Sequence, residues 1–129
     1  MRWTAVRASV ASAIIAFSFP ASAEPVRMET IDDELKVLIE RSVSERFLDP
    51  WSTQFGRLSA NLDLAKGTIV TCGMVNAKNN MGGYVGFKPF FAIWSFANGM
   101  EYVATADESG EEFVREKCER DDLELTVWP

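Results

Sequence analysis

Cys72 and Cys118 are the two cysteines of the chain, and whether they join decides what it can fold into. Cys72 lies in a β-branched stretch and Cys118 in a stretch of helical character, so a bond between them forces a helix against a strand. The compartment settles whether thiols oxidise. Arg2 and Arg7 make a positive start, Ala8 to Phe19 is a mostly apolar run of twelve residues, and Pro20 leads into Ala21-Ser22-Ala23, a small-x-small cleavage site. These are the three parts of a secretory signal peptide over residues 1–23. The run is too short for a membrane span, which needs about 20 apolar residues. No cysteine follows the cleavage site to take a lipid, and no later stretch is long enough to cross a bilayer. The expected location is therefore periplasmic or secreted, with no transmembrane helix in the mature chain. There two cysteines in a small domain form a disulfide. The alternative is a reactive thiol beside a buried one. It needs a positive environment, whereas Cys118 stands between Lys117 and Glu119 with acids beyond. A bridge across 46 positions would stabilise the fold by about 4 kcal/mol in the chain-entropy picture.

Removal of the leader leaves residues 24–129, the length of one domain. Its composition, 47% hydrophobic and 25% charged over the whole chain, is that of an ordinary globular protein. There is no histidine, which excludes Ser-His-Asp and Cys-His catalysis and any histidine-ligated metal. Two cysteines cannot build a four-thiolate zinc site, so neither metal nor cofactor is expected. Without Arg2 and Arg7, 11 bases stand against 19 acids, a net charge of −8. That argues against nucleic acid, where affinity comes from neutralising phosphates.

Glu24 to Glu29 reads as a loosely ordered polar lead. From Thr30 a helix is expected: Thr30 can cap it, Asp33 follows three residues on, and Asp32, Asp33 and Glu34 load the first turn with favourable charge. Ile31, Leu35, Leu38, Ile39, Val43 and Phe47 form one apolar stripe, read as a core face. Asp32/Lys36, Lys36/Glu40 and Arg41/Glu45 are spaced to pair on the wet side. Asp49-Pro50 stops the helix. Strands follow over Phe55–Leu64 and Thr68–Val75, joined at Lys66-Gly67, and then over Tyr84–Phe87 and Phe90–Ala97, with Pro89 marking an edge position or a bulge. Asn98-Gly99 predicts a two-residue hairpin to Met100–Ala106, with Phe96 opposite Glu101 and Trp94 opposite Val103. A last helix is expected from about Ser109 to Asp121, capped by Ser109, and a short terminal strand over Leu123–Trp128. The fold class is α+β: an N-terminal helix on an antiparallel sheet of about four strands, with a C-terminal helix tied by the disulfide.

The segment Asn76 to Tyr84 is what composition does not explain. It holds three amides (Asn76, Asn79, Asn80), one cation (Lys78), two glycines and an aromatic. On the plainer reading the amides and glycines take left-handed angles and tie the loop to its own backbone. On the functional reading a rigid polar loop recognises a partner or a glycan, with Tyr84 or Trp51 as a stacking surface. Charge adds a second clue. Glu24–Asp49 carries −4, Pro50–Met100 carries +3, and Glu101–Pro129 carries −7, so the distinctive loop lies in the one basic segment. Solvated helix faces account for the acids; a polarised surface that steers a charged partner is the sharper account. Other chemistries fare worse. Asp107–Glu112 lacks the spacing of a calcium loop. Nothing in the sequence splits the pKa values of Asp121, Asp122 and Glu124 as a carboxylate hydrolase requires. Phe90, Phe91, Trp94 and Phe96 read as packing rather than as a base-stacking platform. Gly82-Gly83 with Gly86 lacks the Gly-Lys-Ser/Thr of a phosphate loop.

Asp49-Pro50-Trp51-Ser52-Thr53-Gln54-Phe55, Cys72-Gly73-Met74-Val75-Asn76-Ala77-Lys78-Asn79 and Gly82-Gly83-Tyr84-Val85-Gly86-Phe87 together resemble a group of uncharacterised small exported bacterial envelope proteins. Their pattern is Asp-Pro-x-Ser-x-x-Phe, then Cys-Gly-x-Val-Asn-x-Lys-Asn, then Gly-Gly-Tyr-x-Gly-Phe. The likeness spans roughly Leu48 to Phe91. It implies an envelope location and a compact domain, and no activity. The leading functional expectation is a non-catalytic binding or accessory module, an inhibitor of another exported protein among its forms. A structural or assembly subunit of an envelope complex comes second, and a carboxylate hydrolase last.

Overall fold

The computed structural model describes residues 24–127. The expected leader at 1–23 and the end of the expected terminal strand, at Trp128, lie outside them. Within them one antiparallel sheet of six strands carries the fold. The strands are β1 (Val26–Met28), β2 (Gln54–Phe55), β3 (Ser59–Asp63), β4 (Thr68–Asn76), β5 (Lys88–Ser95) and β6 (Gly99–Thr105). They run in the order β1-β3-β4-β5-β6, and β2 pairs with β4 alongside β3. Helix α1 (Asp33–Ser44) precedes β2, and the short α2 (Ala106–Ser109) and α3 (Glu111–Arg120) follow β6. The expected α+β class therefore holds, with two corrections. The first described element is a strand rather than a helix, and the sheet has six strands rather than about four. The two additional strands are three and two residues long, too short for alternation to announce them. Backbone pairing with Ala60–Leu62 orders β1 in what reads as a polar lead.

The helices divide the sheet into two faces. Ile39 and Val43 of α1 pack with Val75, Phe90, Ala92 and Val103, joined by Phe55 and Leu58. Phe90 is fully buried, with Phe55 edge-on to it at 5.9 Å. On the opposite face Val114 and Cys118 of α3 pack with Cys72, Phe91, Ala104 and Leu123. Cys72 and Cys118 are bonded there, so α3 is covalently tied to the strand that pairs with three others. Burying each of the larger aliphatic side chains contributes about 1.5–3 kcal/mol.

Bulges explain why simple alternation misreads two strands. Phe55 pairs with Val75 and Ser59 with Cys72, so three residues (Gly56, Arg57, Leu58) face two. Phe55 and Leu58 thus reach the same α1-side cluster although they are three apart. The β5–β6 hairpin departs from expectation for the same reason. Ser95 pairs with Gly99 and Trp94 with Met100, while Ile93 pairs with Tyr102, so Glu101 is the extra residue. The loop is Phe96–Asn98, not Asn98-Gly99. The Ser95 hydroxyl accepts from the Ala97 and Asn98 N–H groups and closes it, and Gly99 takes φ +77° at its exit. Pro89 lies in β5 between β4 and β6, not on an edge. It is the second residue of the strand, just before the pairing with β6 begins at Phe90, near the strand end where proline is tolerated.

Helix ends also shift. Asp32, not Thr30, caps α1 by accepting from the Glu34 N–H at 2.9 Å. The helix ends at Ser44, so Phe47 reaches the core from the turn after it. Leu38, read as core, is 44% exposed. Gly110, at φ +90°, separates α2 from α3, and Thr105 rather than Ser109 supplies the cap, to α2. Tyr84–Phe87 is loop, with one bridge between Lys78 and Tyr84. The expected terminal strand is an extended tail with one bridge, Arg57 to Thr126. The tail is strapped to the sheet by Ser59 Oγ donating to the Glu124 carbonyl and by Asn61 Nδ2 donating to the Asp121 carbonyl.

Two predictions follow from this packing. A Cβ on Gly56 would collide with the backbone carbonyls of Thr126 and Val127. Gly56→Ala should therefore lift the tail and cost about 1–3 kcal/mol, read as a lower urea midpoint and faster hydrogen exchange at Leu125–Val127. The second concerns Glu40. Burial raises its carboxyl above the ordinary value, opposed by the Lys36 ammonium at 3.8 Å. A raised acid binds its proton more tightly in the native state, so stability falls as pH rises from about 4.5 through the native pKa. Glu40→Gln should remove that fall: urea midpoints between pH 4.5 and pH 7 become flatter, and the variant is no less stable than the parent at pH 7.

Candidate functional site

The loop from Ala77 to Phe87 and the 3₁₀ turn Pro50–Ser52 meet at one end of the sheet, beyond the paired ends of β2 and β4. Each is built from its own hydrogen bonds. Pro50 presets the first turn after Asp49, and the Ser52 hydroxyl donates to the Asp49 carbonyl at 3.1 Å. Thr53 Oγ1 lies 2.8 Å from the Pro50 carbonyl and 2.8 Å from Ser44 Oγ, which couples the turn to the end of α1. In the loop, Asn79 Oδ1 accepts from the N–H groups of Met81 and Gly83, at 3.0 and 3.1 Å. The Asn79 N–H donates to the Gly83 carbonyl, and the Gly82 N–H to the Asn79 carbonyl. Asn76 is 8% exposed; its Oδ1 accepts from the Gly86 N–H, and its Nδ2 donates to Gln54 Oε1. Gly82 and Gly86 take the left-handed angles, at φ +80° and +100°, and none of the three asparagines does. The asparagines fold the loop through their side chains instead.

One hydrogen bond joins loop and turn. The Tyr84 hydroxyl donates to the Ser52 carbonyl at 2.7 Å. Lys78 Nζ sits 5.4 Å from the centroid of the same ring. Tyr84 thus lies between Lys78 and the turn that carries Trp51. Trp51 is 97% exposed. A shallow groove separates it from the last turn of α1, lined by Arg41, Ser44, Glu45 and Pro50.

The sequence-derived candidates therefore separate by role. Lys78 and Tyr84 come together, and Trp51 stands on the turn held by the Tyr84–Ser52 bond. Asn80 is exposed on the loop, while Asn76 and Asn79 hold the backbone. Cys72 and Cys118 belong to the core under α3. Leu48, Met81 and Val85 were not singled out from sequence. They are exposed by 78%, 88% and 47%, and all three lie on the same two segments. Their one signal is an apolar residue in a turn context, outside any helical or alternating pattern. Of the twelve exposed large hydrophobic side chains among the described residues, Leu48, Trp51, Met81, Tyr84 and Val85 fall on Leu48–Ser52 and Met81–Val85. The two segments are joined by the Tyr84–Ser52 hydrogen bond.

Among the described residues no group of three or more His, Cys, Asp or Glu side chains could hold a metal ion, and no helix is long and apolar enough to cross a membrane. The turn and the loop present exposed apolar side chains together with the Lys78 ammonium, the Asp49 carboxylate and the Asn80 amide. Comparison with protein-family models, with curated proteins and with solved structures finds no match for the chain.

If Asn79 holds the loop, Asn79→Ala should free two N–H groups and cost about 1–2 kcal/mol locally. Amide exchange at Met81 and Gly83 should then accelerate by about tenfold or more, while exchange in β4 and β5 stays as in the parent.

Proposed function

We propose that this is an exported, non-catalytic binding module whose recognition surface is the pole formed by Leu48–Ser52 and Lys78–Val85. The observation that supports it best is the almost complete exposure of Trp51 on a turn locked to the loop by Tyr84. A large aromatic held in water without cover is a standing cost, and such residues dominate the energy of interfaces when a partner covers them. Rigidity adds to the case. A surface ordered by its own hydrogen bonds loses little freedom on binding. The disulfide fits the oxidising compartment that the leader implies, periplasmic or secreted. Within this reading the asparagine-rich motif is the scaffold, and Trp51, Met81 and Tyr84 make the contact, with Lys78 beside them.

The reading is tested by immobilising the mature protein, passing an envelope extract over it, and comparing wild type with Trp51→Ala and Phe96→Ala. Phe96 is 60% exposed at the β5–β6 hairpin and serves as the control. A hot-spot aromatic should cost about thirtyfold in affinity, so the species retained by wild type and by Phe96→Ala should be lost from Trp51→Ala. Equal retention by all three would show that Trp51 is not part of the recognition surface.

A further inference from the structure

Asn98-Gly99 does not form the turn between β5 and β6, yet the pair stands at the exit of that loop and carries chemistry of its own. A backbone nitrogen can attack the side-chain carbonyl of the asparagine before it. What ordinarily hinders the attack is the side chain of the residue that owns the nitrogen. Asn61, Asn76, Asn79 and Asn80 are followed by Leu62, Ala77, Asn80 and Met81, and Asn98 alone is followed by glycine. The surroundings agree. Asn98 is exposed, and the space where a Cβ on Gly99 would stand is open. The amides of Asn61, Asn76 and Asn79 are held by the fold, through the Asp121 carbonyl, through Gln54 and Gly86, and through the N–H groups of Met81 and Gly83. The Asn98 amide has a lighter restraint: its Nδ2 donates to Glu101 Oε1 at 3.0 Å, an exposed bond.

We propose that Asn98 is a site of spontaneous, one-way deamidation, and that its product unpins the start of β6. The Gly99 nitrogen attacks Asn98 Cγ. The N–Cγ bond forms, the Cγ–Nδ2 bond breaks, and the Gly99 N–H proton leaves with Nδ2 as ammonia. The product is a succinimide ring spanning the two residues. Water, the co-reactant, then adds to either ring carbonyl and opens it. One opening leaves aspartate at 98; the other leaves isoaspartate, with the main chain running through the side-chain carbons. Both products set a carboxylate against Glu101 where an amide N–H now donates, so a hydrogen bond becomes a repulsion between like charges. Glu101 is the extra residue of the β6 bulge, and this contact holds it. Isoaspartate also lengthens a three-residue loop that Ser95 closes with two hydrogen bonds. β6 pairs with β5 alone, so the register of its first residues depends on this hairpin. The site lies at the end of the sheet where β4 begins, away from Asn76 and the pole, and is independent of what the pole binds.

The test incubates the purified mature protein, with its disulfide intact, at neutral and at mildly alkaline pH. Peptide mapping and isoaspartyl methyltransferase labelling follow each asparagine. The expected result is conversion at 98, faster at the higher pH because the attacking nitrogen must shed its proton, while the other asparagines stay amides. Asn98→Asp carries the product's charge and should speed amide exchange at Gly99 and Met100 by about tenfold, with β3 unchanged. Adding Glu101→Gln should return exchange to the parent rate, since the carboxylate at 98 then accepts from the new amide. Conversion in the reduced, urea-unfolded chain but not in the native protein would overturn the proposal, because the hairpin would then protect Asn98. Conversion at the exposed Asn80 as fast as at Asn98 would overturn the role of the glycine. Equal exchange in Asn98→Asp and the parent would overturn the unpinning of β6.

Discussion

The bond between Cys72 and Cys118 ties α3 to β4, and β4 is the strand from which the rest of the sheet is laid out. It pairs with β2 and β3 along one edge and with β5 along the other. Fixing one helix to that strand closes one face of the sheet and leaves the other for α1. In a domain of about a hundred residues the apolar core alone gives a narrow stability margin, so a crosslink across 46 positions matters to the whole. The register it holds is also what places Asn76, at the end of β4, against Gln54 and Gly86. The geometry of the exposed pole is thus a consequence of strand pairing that begins four residues away from the disulfide.

The opposite face reaches the pole by a different route. Ile39 and Val43 seat α1 on β5 and β6, and the chain leaves the helix at Ser44. Ser44 is nearly buried, and its hydroxyl lies against the Glu40 carbonyl and the Thr53 hydroxyl. The 3₁₀ turn is therefore positioned from the core side by α1 and from the loop side by Tyr84. Two independent anchors define where Trp51 stands. Around it Phe47 and Phe55 pack on the core and Ser52 and Thr53 close the turn, while Leu48 is exposed with it.

How much of this was legible in the sequence depends on the length of each signal. The stretches around β4, α1 and α3 carry patterns long enough to read, and the crosslink is expected from the cysteine pair. β1 and β2 are set by tertiary pairing with β3 and β4, which no local pattern records. Phe55 and Leu58 share a face only because a bulge intervenes, and the Asn98-Gly99 dipeptide is overridden by Ser95, whose hydroxyl prefers a three-residue loop. Leu38 follows the helical period faithfully and is still half in water, because α1 meets the core through Leu35, Ile39 and Val43, a stripe that leaves Leu38 at its side. Periodicity reports what a helix can bury, not how far its neighbour extends.

At the candidate site the same limit takes a more general form. Amides, glycines and an aromatic at close spacing draw attention because their combination is uncommon, yet their rarity reflects a backbone problem. A loop that turns back on itself within a few residues needs its N–H groups satisfied without a ladder, and Asn79 and Asn76 do that from their side chains. Residues that meet a partner face no such geometric demand. Met81 requires only to be apolar and displayed, so nothing in its immediate sequence marks it. The motif is thus legible because it builds the support, and the side chains proposed for contact become visible only once the fold shows which apolar residues that support holds out in water. A search for function among such loops is better aimed at the apolar residues flanking the amides than at the amides themselves.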